Sequence, residues 1–174
     1  MSLTKRTERL YQVGSRLFYE GTWQHTGTQV VRKILIDPLD PTPSSGLTVD
    51  QTPYGPKKVY TRIKVLRAAL TASPGDTSVK DNFGSWSISL GGFSGPGFLS
   101  GVAVLSIPLN GGAAVDLTEH PDGGVMVIGT PDSTNEKVHL QYEPPQDAIT
   151  TGDICSVFID MDLVVQDGRT TFPT

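Results

Sequence analysis

Ile154-Cys155-Ser156-Val157-Phe158-Ile159-Asp160-Met161-Asp162-Leu163-Val164-Val165-Gln166 alternates with period two. On an extended backbone Cys155, Val157, Ile159, Met161, Leu163 and Val165 fall in one row. Ser156, Asp160, Asp162 and Gln166 fall on the opposite side, with Phe158 and Val164 as exceptions. A helix would smear the apolar side chains around its circumference, whereas a strand lines them up. Burying that row is worth roughly 10–15 kcal/mol before entropy, at about 2 kcal/mol per large side chain. The stretch therefore predicts a long central strand of an antiparallel sheet with one face on a core.

Working back from it, the same period recurs. Residues 136–142 set Val138, Leu140 and Tyr142 inward and His139 outward. Residues 85–90 set Trp86, Ile88 and Leu90 on one side and serines on the other, and residues 58–66 set Val59, Ile63 and Val65 against Lys58, Tyr60, Arg62 and Lys64. Residues 15–20, 28–36, 102–109, 113–118 and 125–130 read as further strands. Ser73-Pro74-Gly75-Asp76, Asn110-Gly111-Gly112, Pro121-Asp122-Gly123-Gly124 and Thr151-Gly152-Asp153 read as turns. Eight or nine strands joined mostly by short turns predict an all-β antiparallel β-sandwich of jelly-roll type; a closed barrel also fits the count.

Nineteen glycines and thirteen prolines support many short connections, and 174 residues suffice for one domain with a sizeable core. The expected organisation is an N-terminal arm over residues 1–14 and a single β-sandwich domain over 15–174. The arm, Leu3-Thr4-Lys5-Arg6-Thr7-Glu8-Arg9-Leu10, is basic and poor in apolar residues. Leu10, Val13 and Leu17 have helical spacing, but Gly14 interrupts it, leaving room for one helical turn. Residues 37–57 hold Pro38, Pro41, Pro43, Pro53 and Pro56, which excludes a helix interior or a central strand and predicts a long, stiff loop. Such a loop is usually functional or docked on something.

The net charge of −4 conceals an asymmetry. Up to Arg67 there are eleven basic and five acidic side chains, a balance of +6; beyond it three face thirteen, a balance of −10. Opposite halves of this kind attract within a chain or between copies. The single cysteine, Cys155, permits no internal disulfide and sits on the apolar row, where an inert buried thiol is expected. The sequence reads as a soluble chain made in a reducing compartment, without a secretory leader or a membrane-spanning helix.

Chemistry-bearing motifs are sparse. His25, His120 and His139 form no metal-ligand spacing, and Glu119-His120-Pro121-Asp122 leads straight into a glycine turn. Asp160 and Asp162 lie on one strand face about 7 Å apart by strand rise, the separation of an inverting glycosidase pair, but solvated or salt-bridged carboxylates are the simpler expectation, with the bases of 58–64 as partners. The five glycines of 91–101 lack the ending of a phosphate loop, and no nucleophile elbow is present. No catalytic, cofactor or metal residue is assigned. Partner contact is assigned to Lys5, Arg6 and Arg9 on the arm, Pro41, Pro43 and Tyr54 in the loop, Trp23 in a polar turn, and Phe93 and Phe98 in the glycine-rich stretch.

A basic arm (3–10), a proline-rich extended connection (37–57) and strands ending in one long alternating strand (154–166) resemble the jelly-roll structural proteins of icosahedral virus particles. That family includes small coat proteins and the cement or decoration proteins of phage shells. The resemblance implies a non-enzymatic capsid component of the virion, made in the host cytoplasm, that assembles with copies of itself or with a major capsid protein through its arm and loops. The short arm and acidic total point away from nucleic acid as the main partner. The alternative is a carbohydrate- or receptor-binding β-sandwich module, with Trp23 or the glycine-rich loop as its aromatic platform.

Overall fold

The structure, a computed structural model, describes residues 2–26, 30–36, 60–75, 84–93, 99–121, 123–128, 137–144 and 152–165. All of the regular structure in them is β: β1 (Ser2–Val13), β2 (Arg16–Thr26), β3 (Val31–Ile36), β4 (Tyr60–Ser73), β5 (Ser85–Phe93), β6 (Leu99–Pro108), β7 (Gly112–Asp116), β8 (Val125–Ile128), β9 (Lys137–Glu143) and β10 (Ile154–Val165). They form two antiparallel sheets. The larger runs β1-β2-β10-β4-β7, with β8 also pairing β4; the smaller runs β3-β9-β5-β6.

The deciding stretch is β10, central in the larger sheet between β2 and β4. Cys155, Val157, Ile159 and Met161 are buried, as their period requires. They join Leu17, Tyr19, Trp23, Ile63, Val65 and Leu70 of the same sheet, and Leu35, Trp86, Ile88, Val138, Leu140 and Tyr142 of the other, in one hydrophobic core. One core shared by two sheets makes the architecture β-sandwich-like.

Several readings change. Residues 2–13 are not an arm with a helical turn but strand β1, paired along its length with β2. Gly14-Ser15 closes this hairpin, with Gly14 at φ 60°, the conformation that a tight hairpin asks of its first central residue. A bulge between Lys5 and Thr7 hid the strand. It switches parity, so that Leu3 and Lys5 before it and Glu8, Leu10 and Gln12 after it share the inward face; an odd–even scan sees no row.

His139, expected at the surface, is fully buried, and so is Trp23. His139 lies between Ile34 and Ser89 on a central strand, and Ser89 and Gln141 are buried beside it. Strand alternation fixes which face a side chain takes, not whether that face is wet. The proline-rich 37–57 connection, with Pro41, Pro43 and Tyr54, lies outside the described residues, as does Phe98. Phe93 closes β5, opposite Leu99.

One polar cluster ties the two sheets inside the core. Asp153, buried just before β10, accepts the Tyr142 hydroxyl at 2.5 Å and the Gly75 amide at 2.9 Å, while its carbonyl accepts the His25 amide at 2.8 Å. The His25 ring stacks on Tyr142, centroids 3.7 Å apart, and Trp86 meets Tyr142 edge-on at 4.8 Å. β2, β9 and β10, with Gly75 just after β4, thus meet at Asp153; its carboxylate satisfies the buried Tyr142 hydroxyl and its carbonyl the His25 amide, groups whose unpartnered burial would cost about 1–3 kcal/mol each.

Candidate functional site on the outer face of the six-stranded sheet

Directly paired residues across an antiparallel sheet point to the same side, so register turns separated residues into rows. On the outer face three such rows cross the larger sheet. The first is Thr7–Thr22–Ser156–Thr71, four hydroxyl residues on β1, β2, β10 and β4. The second is Arg9–Glu20–Phe158–Ala69–Ala114, and the third is Tyr11–Phe18–Asp160–Arg67–Asp116.

The third row is an electrostatic brace. Arg16 grips Asp160 with two hydrogen bonds, Nε to Oδ1 at 3.2 Å and Nη2 to Oδ2 at 2.6 Å. Its Nε also lies 3.6 Å from Asp162, while Arg67 approaches Asp160 at 3.6 Å and Asp116 at 2.9 Å. The order Asp162–Arg16–Asp160–Arg67–Asp116 alternates in sign across β10, β2, β10, β4 and β7. The Asp160 side chain is only 4% exposed, so its paired guanidinium groups replace lost water. Asp116 is held down to about 2, first by the Thr118 hydroxyl and amide and then by Arg67. The expected partners of Asp160 and Asp162 were the bases of 58–64. Lys64 does stand opposite Asp162 in register, yet the arginines of β2 and β4 make the contacts described here.

The basic residues of β1 are Lys5, Arg6 and Arg9. Lys5 bonds Glu8 at 3.2 Å, Arg6 donates to the Gln24 side-chain oxygen at 2.8 Å through Nε, and Arg9 lies 4.7 Å over the Tyr11 ring. Tyr11 in turn stacks on Phe18 at 5.1 Å. All three bases are exposed, and they decorate the sheet's edge strand. Charges on an edge discourage pairing with a like edge.

What pins this edge is Glu8. Its side chain is 2% exposed and accepts the Tyr19 hydroxyl at 3.0 Å; Tyr19 in turn accepts the Trp23 indole N–H at 3.0 Å. Burial, reinforced by the Glu8 charge, pushes the Tyr19 hydroxyl well above its ordinary value. Gly21 makes room for this chain: a Cβ there would lie 2.6 Å from the Tyr19 oxygen and 3.0 Å from the Trp23 nitrogen. Trp23, assigned to partner contact from its polar neighbours, is instead part of this interior chain.

Cys155 is buried and free, its thiol pushed up to about 12 by burial. Among the described residues no group of His, Cys, Asp or Glu side chains forms a metal-binding cluster. Sequence reasoning missed the hydroxyl row, and of the brace it expected salt-bridged Asp160 and Asp162 but not their arginine partners. The signal for both is register, which joins residues far apart in the chain. Comparison with known proteins gave no match to any family model, curated protein or solved structure.

Proposed function

We propose that this chain is a structural subunit of an icosahedral virus particle, a coat or cement protein without enzymatic activity, built on a jelly roll. The observation that carries the reading is the pairing order. Setting aside β1 and β8, eight strands remain. The first pairs with the eighth (β2 with β10), the second with the seventh (β3 with β9), the third with the sixth (β4 with β7) and the fourth with the fifth (β5 with β6). Wrapping an antiparallel ribbon around a barrel gives this nested order, and two Greek keys with it. Jelly rolls serve viral shells but also lectins and cupins, so the fold alone leaves the role open. The split between a basic early chain and an acidic later one supports contact between unlike surfaces of neighbouring copies or of a major shell protein.

The described N-terminal segment stays on its own subunit, so the assembly surface on that side is the charged edge of β1 and not a free arm. The proposal places the protein in the virion after synthesis in the host cytoplasm. Its partners are copies of itself or a major capsid protein, with nucleic acid a minor contact at most.

Sedimentation over a wide concentration range, with electron microscopy of the native source, tests this. Closed shells or shell-bound copies are expected, with Arg6→Glu/Arg9→Glu weakening association most at low salt. A chain that stays monomeric at every concentration and is missing from shells refutes the reading.

A further inference from the structure

The hydroxyl row of the outer face borders a cavity of about 350 Å³. Thr7, Thr22, Ser156 and Thr71 form one side, and Phe158 and Glu20 the other. The hollow has a simple cause. Ala69 and the short hydroxyl side chains keep the middle of the sheet low, while the longer side chains of the next row rise beside them. Strands lie about 4.8 Å apart, so the four hydroxyls span about 14 Å across the sheet.

We propose that this trough is a binding site for an uncharged saccharide. Sugars are amphipathic: their C–H faces pack on aromatic rings, and their hydroxyls both donate and accept hydrogen bonds. The trough offers both features. Phe158 is half-buried and presents an aromatic surface among polar groups. Thr7, Thr71 and Ser156 are exposed, and each hydroxyl donates once and accepts twice. Thr22 and Ser156 lie 3.4 Å apart, oxygen to oxygen, a long and weak contact that a ligand hydroxyl can replace.

Charge argues for a neutral ligand. Glu20 is the one ionisable residue lining the trough among the described residues; it already accepts the Tyr11 hydroxyl at 3.4 Å and stands opposite Arg9 in strand register. Among the described residues no base lines the trough to meet a sulfate, phosphate or sialic acid. The volume lies at the small end of ligand sites, enough for one or two sugar rings. This inference does not need the assembly role, since it rests on the hydroxyl row and Phe158 of the sheet face and not on the charges of Lys5, Arg6 and Arg9.

The test is amide NMR of the full chain against neutral glucose-, galactose- and N-acetylglucosamine-based tetrasaccharides, with sulfated and sialylated glycans in parallel. Shifts are expected at Thr7, Thr22, Thr71, Ser156 and Phe158 with at least one neutral sugar. Phe158→Ala should weaken binding about tenfold. The shape-conserving pair Thr22→Val/Ser156→Ala should weaken it comparably while keeping the circular dichroism and melting temperature of the parent. Ser106→Ala, exposed on the other sheet, should change nothing. The proposal is overturned if no neutral sugar binds, if only charged glycans bind, or if the shifts map elsewhere. It is also overturned if the same amides shift with protein concentration alone, which would make the trough a contact between copies.

Discussion

Replacing Gly21 by alanine sets two effects against each other. A glycine inside a strand costs backbone entropy, so alanine should stabilise by about 0.5–1 kcal/mol if the space were free. The space is not free. The new methyl would lie 2.6 Å from the Tyr19 oxygen, 3.0 Å from the Tyr19 Cζ and 3.0 Å from the Trp23 nitrogen. Both side chains are in the core, so neither can swing into solvent. Overpacking costs about 1–3 kcal/mol. Pushing the Tyr19 hydroxyl off Glu8 or Trp23 adds about 1–3 kcal/mol for a buried group left unpartnered. The two costs overlap, and after the propensity gain a net loss of about 2–4 kcal/mol is expected. At this chain length that is a fall in melting temperature of about 5–15 °C.

Urea unfolding followed by tryptophan fluorescence measures the loss, and a double-mutant cycle identifies its cause. Tyr19→Phe alone should cost about 1–3 kcal/mol, since Glu8 and the Trp23 N–H lose their shared partner. Combined with Gly21→Ala it should cost less than the sum by about 1–2 kcal/mol, because the closest atom is gone. Limited trypsin digestion should report the same event after Lys5, Arg6 and Arg9, whose side chains are already exposed and whose backbone is freed as β1 lifts from β2. Gly21→Ala as stable as the parent, or an additive cycle, would refute the reasoning.

Arg16→Met should destabilise by about 2 kcal/mol, because it strips the bidentate partner from a carboxylate that is 4% exposed; Arg16→Met/Asp160→Asn should recover part of it in the same urea assay. Cys155 should resist alkylation at pH 8 in the native protein and react fully in urea, since burial holds its thiol up to about 12. Cys155 and Tyr19 both keep their protons in the fold to higher pH than in the unfolded chain, whose values are 9.0 and 10.0. The contribution of these two groups should therefore be constant below pH 9 and be lost as pH rises above it, measured as a declining urea midpoint on the alkaline side. Asp116 should remain ionised at pH 3 by carboxyl NMR, and Thr118→Val should move its titration upward.

The elements legible in the sequence are those whose apolar row is unbroken and long. β10, β5 and β9 each present a run at period two, and each buries it. β4 is read only in its first half, because Arg67-Ala68-Ala69-Leu70-Thr71-Ala72 gives little contrast between its faces. Ala68 and Ala72 are nonetheless buried and Ala69 only partly so. β1 escapes for a different reason. Its inward face carries Lys5 and Glu8 between Leu3 and Leu10, with Gln12 beyond them, and the bulge breaks their parity. A buried glutamate has no signature of its own; it is stabilised by Tyr19 on the next strand and by the glycine that leaves the gap, and neither is visible until the hairpin register is known.

The same limit governs the outer face. Thr7, Thr22, Thr71 and Ser156 are unremarkable threonines and a serine, on β1, β2, β4 and β10, of which only the first two are consecutive in the chain. Only the nested pairing, which brings β10 between β2 and β4, sets them in one line. Arg16, Asp160, Arg67 and Asp116 obey the same rule. A one-residue slip of β10 against either neighbour would turn Asp160 toward the core and Ile159 or Met161 toward the arginines. The apolar row and the charged row are thus two readings of one register, each making the other's misalignment costly. The brace therefore fixes the floor of the trough, and variants that break it should blur the hydroxyl row before they unfold the sandwich.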